Sequence, residues 1–173
     1  MTTNGMIKIY TDGSSKGNPG PGGWGVVTAC NGKVYEHGGR EDMTTNNRME
    51  LKAFIEALNF IEERKLEGDI SMHIDSAYVI GGVTMWMYNW QKNGWRTSAK
   101  DEVLNQDLWK EILPLVFRIK QKHDLKIEKI KGHAGHHGNE RADLIATSYA
   151  DNDRPVLFTG AQEQYEKLFG LKI

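Results

Sequence analysis

Apolar and polar positions along the chain change period several times, and each change marks an element. Met6 to Tyr10 alternates and is rich in β-formers, which predicts a first strand ending at Thr11-Asp12-Gly13. The glycine-rich run Gly17-Asn18-Pro19-Gly20-Pro21-Gly22-Gly23 reads as a turn joining two strands. Gly25 to Ala29 and Lys33 to Glu36 flank Asn31-Gly32, a strong two-residue hairpin signal. The period turns helical at Asn47, where Leu51, Phe54, Leu58 and Ile61 recur opposite Lys52, Glu56 and Glu63. Ile70 to Ile74 returns to strand character. Helical segments follow over Ala77 to Trp90 and Leu104 to Ile119, and Pro114 predicts a kink or break near Leu113. Leu125 to Ile130 reads as the last strand and Glu140 to Ala150 as the last clear helix. This order describes a single α/β domain over residues 1–150. Residues 151–173 read as a C-terminal extension, with Gln162 to Phe169 either a short helix or a loosely held tail.

Composition narrows the classes. A chain of 173 residues that is 39% hydrophobic and 26% charged has the makings of one packed core, so global disorder is a poor description. Its net charge of -1 means that any grip on phosphates must come from local patches. A single cysteine, Cys30, excludes an internal disulfide and a cysteine zinc cluster, and its place at the end of an apolar stretch predicts a buried thiol. No stretch approaches the ~18 apolar residues needed to cross a bilayer. The first residues show no basic segment followed by an apolar run, so a soluble, cytoplasmic protein is expected.

Four acidic residues stand at the ends of elements. Asp12 closes the first strand, Glu50 lies in the first turn of the first helix, Asp75 ends the fourth strand, and Asp143 opens the last helix. Each also has a local explanation. Asp12 before Gly13 suits a turn. Glu50 completes a capping box with Asn47, Asp75 before Ser76 suits an N-cap, and Asp143 complements a helix dipole. Gathering several carboxylates costs repulsion and desolvation that a divalent cation removes, and oxygen ligands suit magnesium or manganese. Spacing alone leaves both readings open.

The motifs decide between them. Tyr10-Thr11-Asp12-Gly13-Ser14 with Gly17-Asn18-Pro19-Gly20-Pro21-Gly22-Gly23 resembles the first-strand signature of type 1 ribonuclease H, the bacterial ribonuclease HI type. Thr44-Thr45-Asn46-Asn47-Arg48-Met49-Glu50-Leu51 resembles the second block of that family, and Asp75-Ser76 the third. Lys131-Gly132-His133-Ala134-Gly135-His136 and Asn139-Glu140-Arg141-Ala142-Asp143 resemble the fourth and fifth. The five blocks run in the family's order across residues 6–150. The resemblance implies a mixed five-stranded sheet with helices on both faces. It also implies a metal-dependent endonuclease that hydrolyses the RNA strand of RNA–DNA hybrids. Asp12, Glu50, Asp75 and Asp143 would be the catalytic, metal-binding carboxylates, with His133 on a mobile loop assisting proton transfer or product release. Two magnesium ions, for which manganese can substitute, would serve a hydrolysis leaving 5′-phosphate and 3′-hydroxyl ends.

Hybrid specificity requires something that feels the 2′-hydroxyl. By the same resemblance Asn18, Asn46 and Asn47 take that role, Trp86 lies near the DNA backbone, and Thr45 and Asn89 help bind a DNA phosphate. Trp86, Trp90 and Trp95 stand beside Lys92, Arg96 and Lys100. Aromatics with bases suit stacking and phosphate contact, while the helical spacing of Trp86 and Trp90 also suits a core. Gln91, Asn93 and Asp101-Glu102 make this protrusion less cationic than many relatives, and Ala77 stands where bacterial relatives often carry glutamine. The run Arg118, Lys120, Lys122, Lys126, Lys129 and Lys131 reads as a solvated face ahead of a phosphate-tracking surface. His136 and His137 read as solvent-facing, and His73 as a packing or surface residue.

Two rival classes remain in view. A DNA-cutting nuclease on the same fold would have no use for asparagines poised for ribose, and a hybrid-binding module without catalysis should lack one of the four carboxylates. A nucleotide-binding loop at Gly17 to Gly23 fails, because no Gly-Lys-Ser/Thr follows and the segment leads into a strand. No membrane or obligate protein partner is expected, and the default assembly is a monomer.

Overall fold

Alternation in the first strand gives the sheet two apolar faces. In β1 (Met6–Ser15), Ile7 and Ile9 point into one core and Tyr10 into another. The computed structural model describes residues 5–132, 135–170 and 172–173. β1 pairs antiparallel with β2 (Gly20–Cys30), and β2 pairs antiparallel with β3 (Lys33–Thr44). Asn31 and Gly32 join β2 to β3 at φ of 48° and 71°, the positive-φ pair that a two-residue hairpin needs. On its other side β1 runs parallel to β4 (Asp69–Ile74), which runs parallel to β5 (Leu125–Lys129).

The larger core lies between this sheet and α1 (Asn46–Arg64), backed by α4 (Gln106–Lys120). Between β4 and α4 the chain forms α2 (Ala77–Gly81), a π-helical turn over Gly82–Trp86, and α3 (Met87–Lys92). The expected break at Pro114 does not occur, for α4 runs unbroken through it. Ile112, Leu113, Leu115 and Val116 are all buried around it, while Pro114 and Lys110, four residues earlier, face solvent. Packing therefore holds the helix, and the carbonyl that loses its partner can be hydrated.

The opposite face carries α5 (His137–Ala150). It lies directly on β2, because a side chain at Gly25 would overlap the Ala142 carbonyl. The sheet has six strands in the order β5-β4-β1-β2-β3-β6, one more than the resemblance implied. β6 (Thr159–Ala161) pairs antiparallel with Lys33–Tyr35 at the edge of β3. Three residues centred on a glycine carry no alternation, so tertiary docking alone makes them a strand. The tail then forms α6 (Gln162–Phe169), whose Tyr165 is completely buried. Of the two readings of Gln162 to Phe169 the short helix holds, and it is packed down. Cys30 is buried as expected. Among the described residues no helix is long and apolar enough to cross a membrane.

Candidate active site

Three of the four predicted carboxylates meet where β4 ends and its pairing with β1 stops, although β1 itself runs past Asp12 to Ser15. One oxygen each from Asp12, Glu50 and Asp75 lies within 4.8 Å of the others. Asp12 points from β1 and accepts a hydrogen bond from the Gly13 amide at 2.8 Å. Glu50 comes from the opening turns of α1, which presses so closely on β1 that a side chain at Gly13 would overlap the Glu50 and Met49 backbone. Glycine at this position thus sets the approach of the two carboxylates. Asp75 follows β4 directly, and Asn139 of α5 offers its amide to Asp75 Oδ2 at 3.5 Å.

The capping roles of Glu50 and Asp75 fail on geometry. The N-cap of α1 is Thr45, which accepts from the Arg48 amide at 3.3 Å, so Glu50 completes no capping box with Asn47. The N-cap of α2 is Ser76, accepting from Val79, and not Asp75. Asp143 sits in the second turn of α5, half-buried, with the Thr147 hydroxyl donating to it at 3.3 Å. It stands outside the tight trio, yet its charge is felt by both Asp12 and Glu50.

Electrostatics separate this cluster from an ordinary acidic surface. Burial, followed by repulsion from Asp75 and Asp143, pushes Asp12 up to about 8. Burial and the charges of Asp12, Asp75 and Asp143 hold Glu50 well above the usual carboxylate range. Among the described residues Glu50 Oε2 is buried without a hydrogen-bond partner. Such an oxygen costs free energy unless something outside the chain satisfies it. The donor set is all oxygen, with no thiolate or imidazole, and that suits a hard divalent cation.

His133 lies outside the described residues, whereas the adjoining Gly132 packs against the Asp75 carboxylate. Asn46 and Asn47 are exposed in the first turn of α1, one turn ahead of Glu50. Asn18 is exposed in the β1–β2 turn, and the pairing of Gly20 with Thr44 brings that turn beside the start of α1. Trp86 and Trp90 turn out to differ. Trp90 packs on the core against Trp109, ring centres 5.5 Å apart. Trp86 is more than a third exposed, at 37%, resting on Tyr78 and Trp90, and Asn89 is exposed on the same protrusion. Trp95 is half-buried with Lys110 5.7 Å over its ring.

The basic run behaves as a solvated face: Arg118 forks onto Glu62 at 3.0–3.1 Å and Lys126 pairs with Asp124. His136 is exposed, while His73 is half-buried and stacked on Tyr10. Sequence reasoning missed Asn139, although it lies inside the fifth motif block, because nothing local shows that its amide reaches Asp75. It also missed a buried polar cluster of Glu36, Arg141 and Tyr165 on the α5 side of the sheet.

Against known proteins, the family model described as RNase H matches residues 4–151. Ribonuclease H of Pseudomonas fluorescens is 48% identical over 148 residues, covering 86% of this chain and 94% of the relative. Ribonuclease H of Thermosynechococcus vestitus is 50% identical over 139 residues, covering 80% and 84%. Among solved structures, LC9-RNase H1, a type 1 RNase H with the type 2 active-site motif, is similar with a TM-score of 0.77 at 29% identity, covering 94% of this chain and 81% of that one. LC11-RNase H1, crystallised in complex with an RNA/DNA hybrid, is similar with a TM-score of 0.59 at 25% identity, covering 84% and 97%.

Proposed function

This chain belongs to the RNase H family, and from that membership and its carboxylate cluster we propose a metal-dependent endonuclease that hydrolyses the RNA strand of RNA–DNA hybrids. The observation that carries the reading is the trio of buried Asp12 and Glu50 with half-buried Asp75, which has mutual repulsion and an orphaned Glu50 oxygen but no cation of its own among the described residues. Such a cluster is costly as structure and useful as a divalent-cation site. Asp12, Glu50, Asp75 and Asp143 would hold two magnesium ions, with manganese as a substitute. Ions bound there acidify a water and stabilise the oxygen that leaves phosphorus. Water adds to phosphorus and the bond to the ribose 3′-oxygen breaks, so the products carry 5′-phosphate and 3′-hydroxyl ends.

Around that centre, Asn18, Asn46 and Asn47 would read ribose 2′-hydroxyls across the minor groove. Trp86 would lie against the DNA backbone, Thr45 and Asn89 would take a DNA phosphate, and His133 would carry a proton at the reacting end. Exposure of Trp86, Asn89, Asn46, Asn47 and Asn18 supports these contacts, since each side chain is open to an approaching duplex. Residues 1–150 form the catalytic domain on this reading, and residues 151–173 an extension docked on it. The protein would work in the cytoplasm as a monomer.

The test is cleavage of a strand-labelled RNA–DNA hybrid with magnesium, beside duplex DNA, duplex RNA and single-stranded RNA. Cutting confined to the RNA strand of the hybrid, and lost on chelation and in Asp12→Asn, is the expected result. A hybrid that is bound but left intact with either magnesium or manganese would replace the enzyme by a binding module.

A further inference from the structure

Glu36 of β3 is as deeply buried as the carboxylates at the metal centre, but it is fully partnered. Its two oxygens take Arg141 Nε at 2.6 Å, Arg141 Nη2 at 2.8 Å, the Phe158 amide at 2.9 Å and the Tyr165 hydroxyl at 2.9 Å. Arg141 also donates to the Val156 carbonyl at 2.9 Å, and its guanidinium lies 4.5 Å over the Phe169 ring. Phe158 and Val156 belong to the tail, as do Tyr165 and Phe169 in α6. One arginine of α5 is therefore gripped from below by the sheet and from the side by the C-terminal extension. Planar, bidentate pairing of this kind fixes geometry as well as charge.

Arg141 is two residues ahead of Asp143, so the two side chains leave the same turn of α5 in roughly opposite directions. The far end of α5 is tied by Arg40, which donates to the Tyr149 and Ala150 carbonyls at 2.8 and 2.7 Å. The end that carries Asp143 has no side-chain N-cap; its Gly138 packs on the Tyr10 ring, and from Ala142 onward the helix lies on Gly25 and then Gly23 of β2. Packing on glycine sets the helix-to-sheet distance while resisting rotation and sliding only weakly. At this end Arg141 supplies the short bidentate contact, beside the single longer hydrogen bond from Asn139 to Asp75.

We infer that Glu36, Arg141 and Tyr165 form a positioning clamp through which the C-terminal extension holds Asp143 in register with Asp12, Glu50 and Asp75, so that divalent-cation affinity depends on the tail. The inference rests on the reading of these four carboxylates as a metal centre. Asp143 is outside the tight trio, and a small rotation of the first turns of α5 moves its carboxylate relative to the other three. None of the three clamp residues touches substrate or ion; they act through Asp143.

The experiment uses the full chain and manganese as the probe. Arg141→Lys and Tyr165→Phe each keep the side-chain bulk while removing the fork or one hydrogen bond. Manganese binding is titrated by calorimetry without substrate, cleavage is followed against manganese concentration, and melting is measured in chelator. Either variant should weaken manganese binding by about tenfold, at the low end of what outer partners of metal ligands contribute, with kcat recovered at saturating metal. In an Asp143→Asn background, Arg141→Lys should weaken binding no further, because its effect runs through Asp143. Unchanged manganese affinity with a lowered Tm in both variants would make the clamp merely structural and overturn the inference. So would an undiminished effect of Arg141→Lys in the Asp143→Asn background. Should the parent chain neither bind manganese nor cut the hybrid, the metal-centre reading itself falls; a parent that does both while the variants match it sinks the clamp alone.

Discussion

Glu36 and Glu50 are buried to nearly the same depth, 5% and 6% exposed, and each lies close to α5 or α1 against the same sheet. Glu36 is met by four donors, two of them from the Arg141 guanidinium, so its charge is compensated within the chain. Glu50 meets two other carboxylates, has one oxygen without a partner among the described residues, and is driven towards its protonated form. The first arrangement offsets its own desolvation within the chain; the second leaves that cost standing unless a cation arrives. Where a fold tolerates uncompensated buried charge beside a well-compensated example, the uncompensated place is the one shaped for a ligand.

The largest effect expected from breaking this contrast is at Asp12. Asp12→Asn removes a buried anion without changing its shape. Hybrid cleavage should fall by about a thousandfold or more, since a missing charge at a metal centre costs several kcal/mol of transition-state stabilisation. In chelator above pH 8, where Asp12 is ionised, the same variant should melt a few degrees higher than the parent, because that buried charge and its repulsion with Glu50 and Asp75 are removed. A lower melting point in chelator would show that Asp12 is compensated after all.

Glu36→Gln should do the reverse. It leaves the Arg141 guanidinium half-buried without its counter-charge, which costs about 3 kcal/mol of stability. Denaturant unfolding measures this directly. A loss below about 1 kcal/mol would mean that the cluster is hydrated and interchangeable with a surface pair.

The two clusters also differ in how far the sequence reveals them. Asp12, Glu50, Asp75 and Asp143 were legible because each sits in a motif block of fixed spacing, although in the fold Asp12 lies inside β1 and Glu50 and Asp143 in the second turns of their helices. Convergence of the first three then follows from strand order and the close approach that Gly13 allows. Glu36 and Arg141 are 105 residues apart, and Glu36 and Tyr165 are 129 apart, with no local pattern linking them. The same limit hid β6, whose three residues form a strand only because the edge of β3 is there to receive them. The unbroken α4 shows packing overruling a local signal in the other direction, since a proline on the solvent side costs less than unburying Leu113 and Leu115. Helices and hairpin come from local chemistry and the candidate-site carboxylates from their motif blocks; the sixth strand and the tail's anchorage come from contacts that exist only in the folded chain.

The contrast sharpens with pH. Asp12 is near 3.8 in an unfolded chain and is pushed up to about 8 in the fold, so between those values the native state binds the extra proton. Stability without metal should therefore be greatest in mild acid and decline as pH rises towards 8. Magnesium should cancel that decline, because the ionised cluster is what it binds, so the rise in Tm on adding magnesium should grow from pH 5.5 to pH 8. Equal magnesium stabilisation at both values would show the cluster already ionised at pH 5.5.

The smallest effect belongs to a third kind of buried group, neither compensated nor repelled. His37 of β3 is stacked on Phe60 with ring centres 4.8 Å apart and edge-on to Trp24, and neither ring nitrogen finds a hydrogen-bond partner among the described residues. Burial lowers its pKa from 6.5 to about 4, with Glu56 opposing the shift only in part. Between those values the unfolded chain carries a proton that the native chain does not, so stability is complete above pH 6.5 and is lost as pH falls towards 4. The loss should reach about 2 kcal/mol, less than the full shift would give because the ring is not wholly sealed from water. This acid limb opposes the one set by Asp12, so the two should offset each other between about pH 4 and pH 6.5, and the metal-free protein should lose stability chiefly above that span. His37→Phe keeps the stacking and removes the titration. Its melting point, compared with the parent's at pH 7 and pH 4.5, should fall less on acidification by a few degrees. An identical fall in both proteins would assign the acid limb to other groups and leave His37 as packing alone.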